Sequence, residues 1–251
     1  MRRVAATRYV TPFREGGSLP GLVEADDDGL YVTKFRGAGQ GPGALVAEVA
    51  GGELARALGL PVPELVLIDV DAELARAEPD PEIQELIVAS DGLNLGVDFL
   101  PGALPFTEAA AAGLDPAFAA DVVWLDALIT NVDRTPRNPN LLVWHGRTWL
   151  IDHGAAFFRQ HGATPLSETA TAPFPMAAEH VLLEIAEPIE RADARLAERA
   201  LEAVDGAVEL IPVEWLGADD PEGRRDQLRR FLTLRLQAPR AFVEEAGRGR
   251  P

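Results

Sequence analysis

The chain has 251 residues and a net charge of −17, from 40 aspartates and glutamates against 23 lysines and arginines. That charge opposes non-specific binding to nucleic acid or anionic lipid. The absence of cysteine excludes disulfides, thiolate zinc sites and a cysteine nucleophile.

Met1-Arg2-Arg3 is followed by Val-Ala-Ala-Thr-Arg, which interrupts any signal-peptide core. No apolar run is long enough to span a bilayer, so a cytoplasmic protein with no membrane partner is expected. Gly21 to Glu24 and Leu30 to Phe35 flank Asp26-Asp27-Asp28-Gly29, a turn signal that predicts a hairpin. The glycine-rich stretch Gly37 to Gly43 leads into an amphipathic helix over Ala44–Leu58, stopped by Gly59 and Pro61. Leu65 to Val70 reads as a buried strand. The acidic stretch Asp69 to Glu85, with Pro79 and Pro81, reads as a solvated loop without chemistry. Leu86 to Ala89 and Leu93 to Phe99 read as two further strands, and Pro101-Gly102 closes this half.

The second half is mainly helical. Asp115 caps and Pro116 starts a helix whose apolar face runs Phe118, Val122, Leu125 and Ile129. Leu141 to Trp144 and Thr148 to Ile151 flank His145-Gly146, a tight hairpin. Residues 155–175 read as a long loop. Helices are expected from Met176 to Val208 and from Pro221 to Glu245, interrupted at Pro239. The plan is α+β: a β-rich lobe over residues 1–100 and an α-helical lobe over 101–251.

Lys34 is the only lysine in the chain. It stands in the β-branched and aromatic run Tyr31-Val32-Thr33-Lys34-Phe35, and an ammonium is a compact charge that fits between phosphate oxygens where a planar guanidinium does not. Downstream, Asn131-Val132-Asp133-Arg134-Thr135-Pro136-Arg137-Asn138 places an asparagine five residues after an aspartate. Phosphoryl transfer to a hydroxyl needs a carboxylate to orient the acceptor and take its proton, and a neutral oxygen nearby to hold metal. Asp152 follows Asp133 by 19 residues, in Leu150-Ile151-Asp152-His153-Gly154. A carboxylate there ends an apolar strand, where a magnesium ligand can reach phosphates. Singly, each motif is also explained by an Asx turn, a capping aspartate or a stray surface lysine; their order is what points to chemistry.

In that order, and with Gly59-Leu60-Pro61-Val62-Pro63 between them, these motifs resemble the HipA-like kinases, a branch of the protein-kinase-like fold. A weaker likeness extends to the phosphatidylinositol 4-kinases. The resemblance covers Gly16 to Phe158. It implies a bilobal protein-kinase-like fold and an ATP- and Mg²⁺-dependent enzyme. The γ-phosphoryl group would pass to a hydroxyl acceptor, first a protein serine or threonine and otherwise a small-molecule or lipid hydroxyl. Asp133 would be the base, with Asn138 and Asp152 as metal ligands. Lys34 would hold the α- and β-phosphates, fixed by a carboxylate of the first helix. Glu48 and Glu53 both qualify and lie about 140° apart around a helix of 3.6 residues per turn. Glu53 has Arg56 as a surface partner one turn on, whereas Glu48 falls where the family places its glutamate. Gly16, Gly17 and Ser18 would belong to the loop covering the phosphates, and backbone atoms of Phe99 and Leu100 would read adenine. The chain departs from the family in having Thr135 where histidine is frequent. The large amino-terminal domain of full-length HipA toxins has no counterpart, so toxin–antitoxin behaviour is not implied.

Two rivals come from different classes. Gly39-Gln40-Gly41-Pro42-Gly43-Ala44 fits the dinucleotide-binding fingerprint, with Asp69 ending the next strand. A nucleotide-binding pseudokinase that regulates a partner would keep the fold without turnover.

Overall fold

Alternating burial along Gly21–Ala25 (β2) and Leu30–Lys34 (β3) buries one face of each strand, and the turn between them closes as the acidic run predicts. Asp27 accepts from the Gly29 N–H at 3.0 Å, and Asp28 takes the left-handed backbone with φ 61°. The structure, a computed structural model, describes residues 1–13, 19–39, 41–157 and 166–248. The chain divides into two compact units, Met1–Val46 with Pro63–Pro101, and Ala47–Val62 with Gly102–Pro251.

In the first unit Arg3–Pro12 (β1), β2, β3, Leu65–Val70 (β4) and Gly92–Asp98 (β5) close a barrel in the order β1-β2-β3-β5-β4. Closure comes from a short parallel pairing of Arg3, Val4 and Ala5 with Leu67, Ile68 and Asp69; the remaining pairs are antiparallel. The interior is filled by Val4, Val23, Ala25, Tyr31, Val66 and Ile68. Gly96 lets the wall pass close to them, because a methyl there would sit 2.7 Å from Val66 Cγ2. This topology excludes the dinucleotide fold. A β-α-β unit sets its two strands side by side and parallel, whereas β5 runs antiparallel between β3 and β4.

Leu86 to Ala89 is not a strand. It is the end of a helix, Pro81–Ala89, capped by Asp80, whose side chain accepts from Glu82 N–H. Ile83 and Ile87, four residues apart, pack with Phe35, Val70 and Ala75. The acidic stretch before it holds a 3₁₀ turn at Ala72–Ala77, capped by Asp71. A run of carboxylates hid two aspartates acting as helix caps.

The second unit holds most of Pro42–Ala57 (α1); the helix Pro81–Ala89 of the first unit is α2. Glu108–Ala111 (α3), Pro116–Leu128 (α4), Ile189–Glu209 (α5), Pro221–Arg235 (α6) and Ala241–Arg248 (α7) follow in this second unit. A three-stranded sheet joins Leu104–Pro105 (β6), Leu141–Trp144 (β7) and Arg147–Leu150 (β8). α4 is the central element, buried almost throughout from Ala119 to Leu128. Trp124 packs edge-on against Phe242 at 5.7 Å and donates its indole N–H to Asp193. The helix expected from Met176 begins instead at Ile189. Proline disfavours helical backbone in the residue before it, so Pro188 can only open the helix as its cap. Among the described residues no helix is long and apolar enough to cross a membrane.

Candidate functional site

In the first unit, Lys34 is the last residue of β3, half-buried and paired with Leu95 of β5. The chain just beyond it is pinned from below. Asn94, fully buried, accepts from Arg36 N–H at 2.8 Å and donates to the Ser90 and Gly92 carbonyls. Ser90 Oγ accepts from Gly37 N–H at 3.1 Å. Lys34 thus leaves a strand whose end cannot drift. Gly16, Gly17 and Ser18 lie outside the described residues; on either side of them, Phe13 N–H donates to the Pro20 carbonyl at 2.8 Å. Phe99 and Leu100 follow β5 as expected of a connector. However, the Phe99 N–H is already spent on the Leu30 carbonyl at 3.0 Å. An adenine would have to be read without that donor.

In the second unit, Glu48 is 2% exposed on α1, while Glu53 pairs with Arg56 at 3.7 Å. The two glutamates separate, Glu48 buried and Glu53 half-buried beside Arg56. Three residues after Glu48, Gly51 lies against His153. A side chain there would begin 3.0 Å from His153 Cβ and 3.1 Å from Ile129 Cδ1. Glycine here serves close approach between α1 and the segment after β8.

Asp133 and Asn138 form one small loop. Asn138 Nδ2 donates to Asp133 Oδ2 at 2.8 Å, and Asn140 Nδ2 donates to the same oxygen at 3.3 Å. Thr135 and Asn138 exchange backbone hydrogen bonds, both at 3.1 Å. Asn131 Oδ1 accepts from Asp133 N–H, which fixes the backbone as well as the carboxylate. Asp152 follows β8 in left-handed backbone, φ 56°, as do Thr130, Asn140 and Phe157 nearby. Asp and Asn enter this region most easily; Thr and Phe there store strain of the kind concentrated at functional sites.

Beneath the loop lies a group that the motifs alone do not reveal. Arg134 is buried and donates through Nε to Asp126 Oδ2 at 2.5 Å. Its terminal nitrogen donates to the carbonyls of Asn140 and Ile151, the latter at 3.3 Å. One side chain therefore ties the Asp133 loop to the residue before Asp152. Asp126 Oδ1 accepts from Asn131 Nδ2 at 2.9 Å. His180 Nδ1 accepts from Leu182 N–H, so Nε2 carries the proton and faces Asp126 Oδ2 at 3.0 Å. Burial holds His180 below its ordinary pKa, outweighing the pull of Asp126. For Asp126, burial pushes upward, but Arg134 and His180 together hold the carboxyl well below the usual range. The signal that was present is a lone carboxylate inside the apolar run Val122 to Ile129.

Among the described residues no three His, Cys, Asp or Glu converge as a metal cage. Magnesium in a phosphoryl-transfer site does not require one, since it keeps waters and phosphate oxygens and takes only one or two protein carboxylates. The ligands that the motifs suggest, the Asn138 amide oxygen and the Asp152 carboxylate, would be hard oxygens of that kind.

The model of the HipA-like kinase family matches residues 7–238. Among solved structures, the chain is similar to a proinflammatory kinase of Helicobacter pylori, CtkA. The TM-score is 0.57, with 13% identity and 96% of each chain covered, which speaks for the fold. No curated protein matches the chain.

Proposed function

Because the chain belongs to the HipA-like kinase family, we propose that it is an ATP- and Mg²⁺-dependent phosphotransferase of bilobal, protein-kinase-like plan. Its acceptor is a hydroxyl, with a protein serine or threonine first. The observation that carries this reading is the Asp133 carboxylate held by one oxygen through Asn138, leaving the other for an acceptor. The acceptor oxygen attacks the γ-phosphorus, the bond from that phosphorus to the β–γ bridging oxygen breaks, and ADP departs. The acceptor proton passes to Asp133. Asn138 and Asp152 would hold Mg²⁺, which supplies charge neutralisation at the phosphates. Lys34 would keep its role at the phosphates, and Glu48 its role as the helix carboxylate, as the resemblance implies.

Thermal shift with ATP plus Mg²⁺, set beside NAD, is the first test. Stabilisation by the magnesium nucleotide is expected, and stabilisation by NAD alone would refute the reading. Asp152→Asn should abolish the Mg²⁺ dependence of that shift while weaker, metal-independent ATP binding persists. Labelled ATP added to a cell extract then tells whether label enters proteins or small metabolites.

Lys34→Arg should be nearly as damaging as Lys34→Ala, although it keeps the charge. A guanidinium is wider than an ammonium and directs its donors in a plane, and small misplacements of reacting groups cost about 10²-fold in rate. Phosphoryl transfer by Lys34→Arg within a few-fold of the parent would remove Lys34 from the site.

A further inference from the structure

Asn140 is nearly buried, at 9% exposure, and is fixed from two sides. Its carbonyl accepts from Ile151 N–H at 3.1 Å and from Arg134, and its backbone is left-handed with φ 49°. That leaves its side-chain amide directed at Asp133, 3.3 Å from Oδ2 and 3.5 Å from the backbone carbonyl. A carboxylate turns about its last torsion between two nearly equivalent settings. With Asn138 and Asn140 both donating to Oδ2, the two oxygens are no longer equivalent. Among the described residues no group donates to Oδ1.

Resting on the kinase reading above, we infer that Asn140 is a positioning residue which locks the Asp133 carboxylate so that Oδ1 is the oxygen that receives the acceptor proton. Asn138 alone serves this less well, because it is exposed and its amide oxygen is also required for metal. Asn140, held by the backbone of both loops, keeps the setting whether or not nucleotide is bound.

Two substitutions separate this role from simple turn-forming. Glycine and aspartate both accept the left-handed backbone, so Asn140→Gly and Asn140→Asp should both fold. Asn140→Gly removes the donor, and Asn140→Asp turns carboxylate oxygens toward Oδ2 and drives Asp133 out of its setting. The assay is transfer from γ-labelled ATP into the proteins and metabolites of a cell extract, at saturating and limiting ATP, with melting temperature measured in parallel. Asn140→Gly should lower the saturated rate by about 10- to 100-fold with the KM for ATP within twofold. Asn140→Asp should be slower still at similar melting temperature. Asn140→Asp as fast as Asn140→Gly, or rate losses that follow melting temperature, would overturn the positioning role. If the parent protein transfers no label while binding no magnesium nucleotide, the kinase reading falls and takes this inference with it.

Discussion

Asp133→Asn should bind magnesium nucleotide like the parent and transfer phosphoryl groups about 10²- to 10⁴-fold more slowly, the usual range for loss of a general base. The hydrogen bonds decide the orientation of the new amide. Asn138 and Asn140 both present N–H groups to the Oδ2 position, so the amide oxygen must face them. Its NH₂ group then occupies the place of Oδ1, where it offers a donor to an acceptor hydroxyl that needs to lose a proton. The substitution is isosteric yet chemically inverted. Nucleotide affinity measured by titration and turnover measured with labelled ATP should therefore separate cleanly. Parent-like turnover would remove Asp133 from the reaction and leave the chain as a nucleotide-binding regulator.

Asp126→Asn should cost about 3–5 kcal/mol of stability, the range found when one member of a buried ion pair is removed. Each partner of Asp126 is a donor: Asn131 Nδ2 on one oxygen, Arg134 Nε and His180 Nε2 on the other. An asparagine must point its own NH₂ at one of these groups in either orientation. Arg134, fully enclosed, also loses its counter-charge. Chemical denaturation should show the loss. Adding Arg134→Met to Asp126→Asn should restore part of it, because the uncompensated buried charge is gone. A double variant no more stable than the single one would show that the loss comes from the hydrogen bonds and not from the uncompensated charge of Arg134.

The strands and the caps were readable where the determinant is local. Asp115-Pro116 starts α4 at the expected residue, and the acidic turn closes β2 onto β3. β1 carries no clear strand pattern because its burial barely alternates and its pairing with β2 slips twice; its partners, β2 and β4, are what make it a strand. Leu86 to Ala89 reads as a strand because a four-residue apolar run fits either period, and the deciding cap, Asp80, lies six residues upstream among other acids. The candidate site divides in the same way. Asp133, Asn138 and Asp152 stand in short motifs whose spacing carries meaning. Asp126, Asn140 and His180 meet through contacts as far as 54 residues apart, and no spacing in the chain announces them.

A chain that meets its other basic needs with arginine leaves one side-chain amine, at the end of β3. Guanidinium groups do not acylate at neutral pH, whereas an ammonium in equilibrium with its free base does. Amine-directed reagents therefore address a single side chain of the protein, without mutagenesis. The α-amine of Met1 reacts as well, so the extent of acylation mapped to the Lys34 peptide is the gauge of Lys34 accessibility. Any occupant that covers the end of that strand registers as protection.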